Sequence, residues 1–274
     1  MIPFTKMHGC GNDYICIYNQ HIEDPGKLAI TLTDRHKSIG GDGIVLIQPS
    51  DQYHASMRMF NADGTEALMC GNSIRCVGKY LLDHHLTTDT VLQIETASGV
   101  KELTLLTQGN LVRVNMGAAI LAPAQVPTTL TGDRVVAREV NIAGSTYQIT
   151  ALSMGNPHAI IFTDDLDHFP LQRVGEQIEK SGLFPQGVNL GVVEMVARDH
   201  LRMGVFERGT GITKASGTAA CAGAVAAVLM GYSDKDTDVS IKQDGGMLVC
   251  KYTDTAVYLT GESITSYEGV VAIS

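Results

Sequence analysis

Cys70 and Ser216 stand 146 positions apart, and each is followed by a glycine and then by a helix-like run. Residues 59–76 read M-F-N-A-D-G-T-E-A-L-M-C-G-N-S-I-R-C, and residues 205–222 read V-F-E-R-G-T-G-I-T-K-A-S-G-T-A-A-C-A. Each copy opens on an extended apolar step ending in Phe60 or Phe206, crosses a polar loop containing glycine, and reaches its nucleophile-type side chain where a helix should begin. Free backbone N–H groups and the helix dipole favour an anion at such a position. They lower the pKa of a thiol and make a thiolate base available near neutrality. Two such starts turned on one small molecule would bind its carboxylate through N–H groups and flank the adjacent carbon with two side chains. That arrangement suits removal of an amino acid's α-proton on one face and its return on the other, with the helix ends stabilising charge that develops on the carboxylate. Such chemistry needs two proton carriers and no pyridoxal cofactor. Taken singly, Cys70 reads as a buried or capping residue and Ser216 as a helix-capping serine. Their equivalence is what raises both.

The repeat reaches beyond the two helix starts. Gly11-Asn12 aligns with Gly155-Asn156, and Gly40-Gly41-Asp42 with Gly187-Val188-Asn189, each beside an apolar strand-like run. Two halves are therefore expected, 1–117 and 118–262, with 263–274 packing back on the first and the Pro- and Thr-containing stretch 118–133 as the connection. Segments with strand character are Tyr14–Tyr18, Ile44–Gln48, Val91–Thr96, Leu111–Met116, Ala159–Phe162, Val192–Val196, Leu248–Tyr252 and Val257–Thr260, with turn signals between them. Helices are expected over Asp24–His36, Asn72–His84, Leu171–Lys180 and Thr218–Met230. Many strands with one central helix per half predict an α+β fold.

The bulk properties narrow the partners. With 274 residues, 44% of them apolar and 18% charged, the chain can bury ordinary cores. A net charge of −9 without a Lys/Arg cluster argues against nucleic acid. The start Met1-Ile2-Pro3-Phe4-Thr5-Lys6 lacks the basic segment and apolar core of a signal peptide, and no apolar or glycine stretch, that through Ala222 to Met230 included, reaches the ~20 residues that span a bilayer. A cytoplasmic enzyme acting on a small metabolite is expected, without a membrane partner. The six cysteines include no C-x-x-C pair, so reduced thiols are expected, with Cys76 and Cys221 buried in the helical runs.

Several motifs together resemble the diaminopimelate epimerase family, within the superfamily of cofactor-independent amino acid racemases and epimerases. They are K-M-H-G-C-G-N-D-Y at 6–14, D-R-H at 34–36, F-N-A-D-G-T-E at 60–66, C-G-N at 70–72, S-M-G-N-P-H at 153–158, V-N-L-G at 188–191 and E-R-G-T-G at 207–211, in family order from end to end. The resemblance implies two pseudo-symmetric domains, each a barrel-like, mainly antiparallel sheet around a central helix, with substrate in the cleft between them. It implies interconversion of L,L- and meso-diaminopimelate, in lysine and peptidoglycan precursor synthesis, without cofactor. Cys70 matches one catalytic cysteine. Gly71, Asn72, Gly217 and Thr218 match the N–H cradle for the reacting carboxylate. Asn61, Asn189, Glu207 and Arg208 match the groups that bind the distal amino acid end, with Asn12 and Asn156 also lining the pocket. An Arg fork suits that distal carboxylate. A homodimer is a further implication, and the apolar stretch Val257 to Val271 either covers its surface or closes the first half.

Three positions depart from the family pattern. Ser216 replaces the second catalytic cysteine, Ile212 replaces a glutamate in G-x-G-E-T, and Ser73 replaces a glycine after C-G-N. A serine hydroxyl is far less acidic than a thiol, so impaired epimerisation is expected. The alternative is a racemase or dehydratase of another amino acid on the same fold. Other signals carry less. The loop 209–214 lacks the spacing of a phosphate loop, and Ser98-Gly-Val-Lys101 lacks the partner motifs of an S-x-x-K enzyme. Asp83-His84-His85 ends a helix, where histidine is favoured by the dipole, and no metal site is expected. His158 should line or support the pocket.

Overall fold

The computed structural model describes residues 1–67, 71–106 and 110–272. Cys70, which carries half of the expected chemistry, lies outside the described residues. Along the chain run β1 (Ile2–Gly9), β2 (Asn12–Tyr18), α1 (Pro25–Thr33), β3 (Gly43–Gln48), β4 (Ala55–Asn61), β5 (Glu66–Ala67), α2 (Gly71–Asp83), β6 (Val91–Thr96), β7 (Gly99–Leu105) and β8 (Leu111–Asn115). Then follow β9 (Val135–Ile142), β10 (Ser145–Ser153), β11 (Pro157–Thr163), α3 (Leu171–Lys180), β12 (Asn189–Ala197), β13 (His200–Glu207), β14 (Gly211–Thr213) and α4 (Gly217–Leu229). The last strands are β15 (Asp238–Gln243), β16 (Gly246–Tyr252), β17 (Val257–Glu262) and β18 (Ile264–Val271). The fold is α+β and dominated by sheet.

The chain divides into two compact units, Met1–Asn115 with Thr260–Ser274, and Met116–Leu259. In the first, the pairing order is β18, β1, β2, β3, β4, β6, β7, β8; only the β2–β3 and β4–β6 joins are parallel. In the second it is β9, β10, β11, β12, β13, β15, β16, and again only two joins, β11–β12 and β13–β15, are parallel. Each parallel join requires a crossover, and in both units the two crossovers are the two helices. The duplication is therefore one of topology as well as of sequence. β18, at the end of the chain, takes the place beside β1 that β9 takes beside β10.

One helix of each pair is wrapped by sheet. α2 packs on β1, β2, β4, β7, β8 and β18, and α4 on β10, β11, β12, β13, β15 and β16. A wrapped helix must be apolar or small all round. α4 meets this with buried Ala219, Ala220, Cys221, Ala222 and Ala224 to Ala227. In α2 the approach is so close that a Cβ on Gly78 would lie 2.9 Å from Leu103 Cδ2. The other helices cover the outer faces. Leu28, Ala29 and Leu32 of α1 pack on Ile15, Ile44 and Phe60, and Val174 and Ile178 of α3 on Val192 and Phe206.

Local chemistry sets the helix bounds. Asp24 Oδ1 accepts from Lys27 N at 2.9 Å and Pro25 opens α1. That helix stops at Thr33, short of the expected His36, because Asp34 turns extended and its Oδ1 accepts from the amides of His36 and Lys37 at 2.8 and 3.1 Å. The stretch 118–133 is stitched into the second unit rather than free. Ile120 bridges Ser153, a 3-10 turn covers Pro123–Gln125, and Thr128 Oγ1 donates to Leu183 O at 2.9 Å.

Candidate active site

In the second unit the expected residues fall into separate hydrogen-bonded groups, two of them at the start of α4. Ser216 occupies the N-cap position, 7% exposed, in extended conformation, yet its side chain makes no capping bond. Its backbone is held instead by Gln243 at the end of β15. Ser216 N donates to Gln243 Oε1 at 2.8 Å, and Gln243 Nε2 donates to Ser216 O at 3.2 Å. The hydroxyl stands near enough to Glu207, the last residue of β13, to lower the pKa of that carboxyl group, which also accepts from Thr213 Oγ1 at 2.7 Å. Burial raises the Glu207 pKa, and the Thr213 and Ser216 hydroxyls oppose that rise only in part. The result is a hydroxyl free of structural duty beside a carboxyl group that holds a proton more readily than usual.

The Gln243 clamp gives a direct prediction. Gln243→Leu leaves a buried amide and carbonyl at Ser216 with one fewer partner each, at a cost of about 1–3 kcal/mol. Urea unfolding should show the loss as a lower midpoint with an unchanged slope.

Asn156 and Thr218 meet on the other side of the same helix start, Asn156 Nδ2 donating to Thr218 Oγ1 at 3.3 Å. Asn156 Oδ1 lies 3.0 Å from His158 Nε2, while His158 Nδ1 has no partner. Complete burial, aided by the charge on Arg208, holds the His158 pKa down to about 3. The neutral ring donates through Nε2, so His158 orients Asn156. The linkage sign follows. An unfolded histidine takes up a proton below about 6.5 whereas the folded one does so only near 3, so its stabilising contribution is complete above the upper value and is lost as pH falls through this window. We expect the slope from this group to approach about 1.4 kcal/mol per pH unit and to flatten in His158→Gln, as read from urea midpoints at pH 7.5 and 5.0.

Asn189, at the start of β12, is buried. Its Oδ1 accepts from Arg208 N at 3.0 Å and its Nδ2 donates to Pro157 O at 3.2 Å. Arg208 reaches back so that one guanidinium nitrogen donates to Gln186 O at 2.6 Å. Its side chain lies over Gly187, whose φ is +73° and where a Cβ would stand 2.4 Å from Arg208 Cδ. Glycine is required there on both counts. Asn156, Asn189, Glu207, Arg208, Ser216, Gly217 and Thr218 are thus gathered into one part of this unit.

In the first unit Gly71 and Asn72 begin α2, both buried. Asn72 Nδ2 donates to Asn12 Oδ1 at 3.2 Å, which also accepts the Tyr14 hydroxyl, and Asn12 Nδ2 donates to Asp42 Oδ2 at 2.5 Å. Asn61 ends β4 and spends its amide inside its own turn, donating to Thr65 Oγ1 at 3.0 Å. The departures differ in placement. Ile212 is 51% exposed on β14, whereas Ser73 is fully buried with its hydroxyl 3.4 Å from Met59 Sδ, turned into the core. Cys10, Cys16, Cys76, Cys221 and Cys250 are buried and form no disulfide among the described residues, and burial pushes the Cys16 thiol well above its ordinary value. His84 stacks on Tyr80 at 4.0 Å, and among the described residues no His, Cys, Asp and Glu cluster could hold a metal. No helix of the described residues is long and apolar enough to cross a membrane.

Sequence reasoning missed Gln243, Thr213, Asp42 and Arg75. Asp42 had left a signal, since Gly40-Gly41-Asp42 aligns with the segment that carries Asn189, and Arg75 showed only as a charge within a helix-like run.

The fold is shared with known proteins of the racemase and isomerase kind. A probable proline racemase from Agrobacterium radiobacter superposes with a TM-score of 0.74 over 100% of this chain and 94% of its own, at 13% identity. A phenazine biosynthesis protein from Bacillus anthracis gives 0.69 over 99% of each chain at 17% identity. The family is more specific. The sequence profile of diaminopimelate epimerase matches residues 4–122 and 150–265. The chain is 46% identical over 281 residues to the diaminopimelate epimerase of Desulfovibrio desulfuricans, covering 98% of this chain and 97% of that one. It is 43% identical over 278 residues to that of Acetivibrio thermocellus, covering 99% of each. This chain belongs to the diaminopimelate epimerase family.

Proposed function

We propose that this chain interconverts the L,L and meso forms of diaminopimelate by exchanging the α-proton without a cofactor, with Cys70 and Ser216 as the two proton carriers. The observation that carries the reading is Ser216: a buried hydroxyl at the N-terminus of α4, unused as a cap and close to Glu207, at the position in the repeat equivalent to residue 70 before α2. Cys70, as thiolate, takes the α-proton from one face. The Ser216 hydroxyl gives its proton to the other face and is reprotonated by the Glu207 carboxyl; the reverse reaction runs the relay backwards. The backbone N–H groups of Gly71, Asn72, Gly217 and Thr218 hold the reacting carboxylate against the developing negative charge. Asn61, Asn189, Glu207 and Arg208 bind the distal amino acid end, and Asn12 and Asn156 position the cradle.

The substrate places the enzyme in the cytoplasm, where such precursors are made. Exposed Tyr267 and Val270 on β18 support a homodimer through that strand. A second reading, racemisation or dehydration of another amino acid, is favoured by the serine and by Ile212 at the surface of β14. Incubation with meso-diaminopimelate in D2O tests both. Deuterium at the α-carbon, even slowly gained, supports the first; an inert diaminopimelate with turnover of another amino acid supports the second and overturns the first.

A further inference from the structure

Among the described residues Arg75 is the largest fully buried side chain, and no carboxylate there pairs with it. Its donors go to neutral oxygens and a thiol. Two guanidinium nitrogens reach Gly71 O at 2.8 Å and Asn72 Oδ1 at 2.7 Å, Nε reaches Glu262 O at 3.5 Å, and Cys10 Sγ lies at 3.8 Å. A buried cation is costly unless it is hydrogen-bonded, and an apolar side chain of similar length would fill the space more cheaply. The duplication supplies an internal control. The corresponding residue of α4 is Cys221, in a helix that carries no charged residue and is wrapped by the same sheet topology. The fold therefore does not need an arginine at this place.

We propose that Arg75 is a positioning residue that sets which way the Asn72 and Asn12 amides face, and so fixes the donors that the start of α2 offers to an anionic substrate. The inference rests on the function proposed above. Arginine can only donate, so Asn72 must turn Oδ1 toward it and present Nδ2 on the other side. That Nδ2 donates to Asn12 Oδ1, which leaves Asn12 Nδ2 for Asp42, a group that only accepts. Asp42 is itself held by Arg35 at 2.8 Å and by the Asp13 amide at 3.0 Å. A cation at one end and a carboxylate at the other thus give the chain a single direction. Reversing either amide would set a carbonyl oxygen where a donor stood, beside the substrate carboxylate. The Arg75 charge also reinforces the positive end of the α2 dipole. The second unit lacks this device, because there Asn156 is directed by His158 instead.

The test uses the full chain with Arg75→Met, Arg75→Lys, Asp42→Asn and the Arg75→Met/Asp42→Asn double variant. Calorimetry with meso-diaminopimelate should show roughly 10- to 100-fold weaker binding for Arg75→Met, and most of it regained in Arg75→Lys. Asp42→Asn should weaken binding too, and the double variant should be little worse than the worse single one, because both act on the same chain of amides. Parent-like binding by Arg75→Met, or losses that multiply in the double variant, would overturn the proposal. Side-chain amide NMR signals of Asn12 and Asn72 give a readout independent of substrate. They should be well dispersed in the parent and collapse toward exposed-asparagine positions in Arg75→Met and Asp42→Asn; unchanged signals count against the proposal. If the parent does not bind diaminopimelate, the functional reading fails while these signals still judge the amide chain. If Arg75→Met does not fold, Arg75→Lys and Asp42→Asn decide.

Discussion

Ser216→Cys is expected to raise the rate of α-hydrogen exchange into diaminopimelate by roughly 10²–10⁴-fold, the range that a well-matched acid or base contributes. A free thiol titrates near 8.5, and a helix N-terminus lowers that value. A serine hydroxyl at the same place stays protonated throughout the neutral range, so it depends on the neighbouring Glu207 carboxyl to accept or supply the proton. That relay requires two proton movements in series where a thiolate requires one. The N-terminal amides of α4 are already in place, and Gln243 holds residue 216 by its backbone, so the side chain can be exchanged without disturbing the clamp. The measurement is deuterium incorporation by NMR together with the stereochemistry of the product. Equal rates in parent and variant would mean that the Ser216–Glu207 pair suffices and that the serine is no impairment. Exchange in the variant with none in the parent would mark 216 as the position that limits this chain.

The sequence was most readable where periodicity and punctuation coincide. Leu171–Lys180 emerges as a helix with those bounds, and the two wrapped helices are displaced by one residue at each end. Strands buried on both faces, such as β3 and β12, stood out as apolar runs. Strands such as β7, β9 and β18 did not, because Lys101, Glu102, Arg138, Glu139, Ser266 and Glu268 break any simple pattern on half-exposed hairpins. In the site, residues next to a glycine or a helix start were legible through the duplication itself. The groups that direct them were not. Gln243 acts on a backbone 27 positions away, and Arg75 acts through Asn72 on a strand 60 positions earlier. Such partners are chosen by three-dimensional closure, which leaves no local spacing to detect. Arg75 was visible only as a charged residue in an apolar helix, a discord between local pattern and burial that points to a function.

The largest loss should follow Cys70→Ala, which we expect to lower α-hydrogen exchange at least about 10³-fold while changing diaminopimelate affinity by less than about 3-fold. On the proposed mechanism, removal of the thiol takes away the one group of the pair that can ionise near neutrality, and the Ser216 hydroxyl, assigned to the opposite face, does not replace it. The backbone amides of Gly71 and Asn72 proposed to hold the carboxylate do not depend on the side chain at 70, so binding should survive. The separation of these two effects distinguishes a proton carrier from a packing residue, whose loss would lower both together. The other thiols offer a control. Cys76 and Cys221 are fully buried in α2 and α4, so alanine at either should reduce stability through lost packing yet leave exchange per folded molecule near the parent value. Cys70→Ser is the sharper variant, because it places hydroxyls at both pseudo-equivalent positions. The hydroxyl at 216 has a half-buried carboxyl group nearby, whereas in the repeat the position matching Glu207 is Asn61, which cannot supply a proton in this way. A Cys70→Ser chain that still exchanged the α-proton would therefore show that the start of α2 is a binding cradle and that the proton leaves by another group.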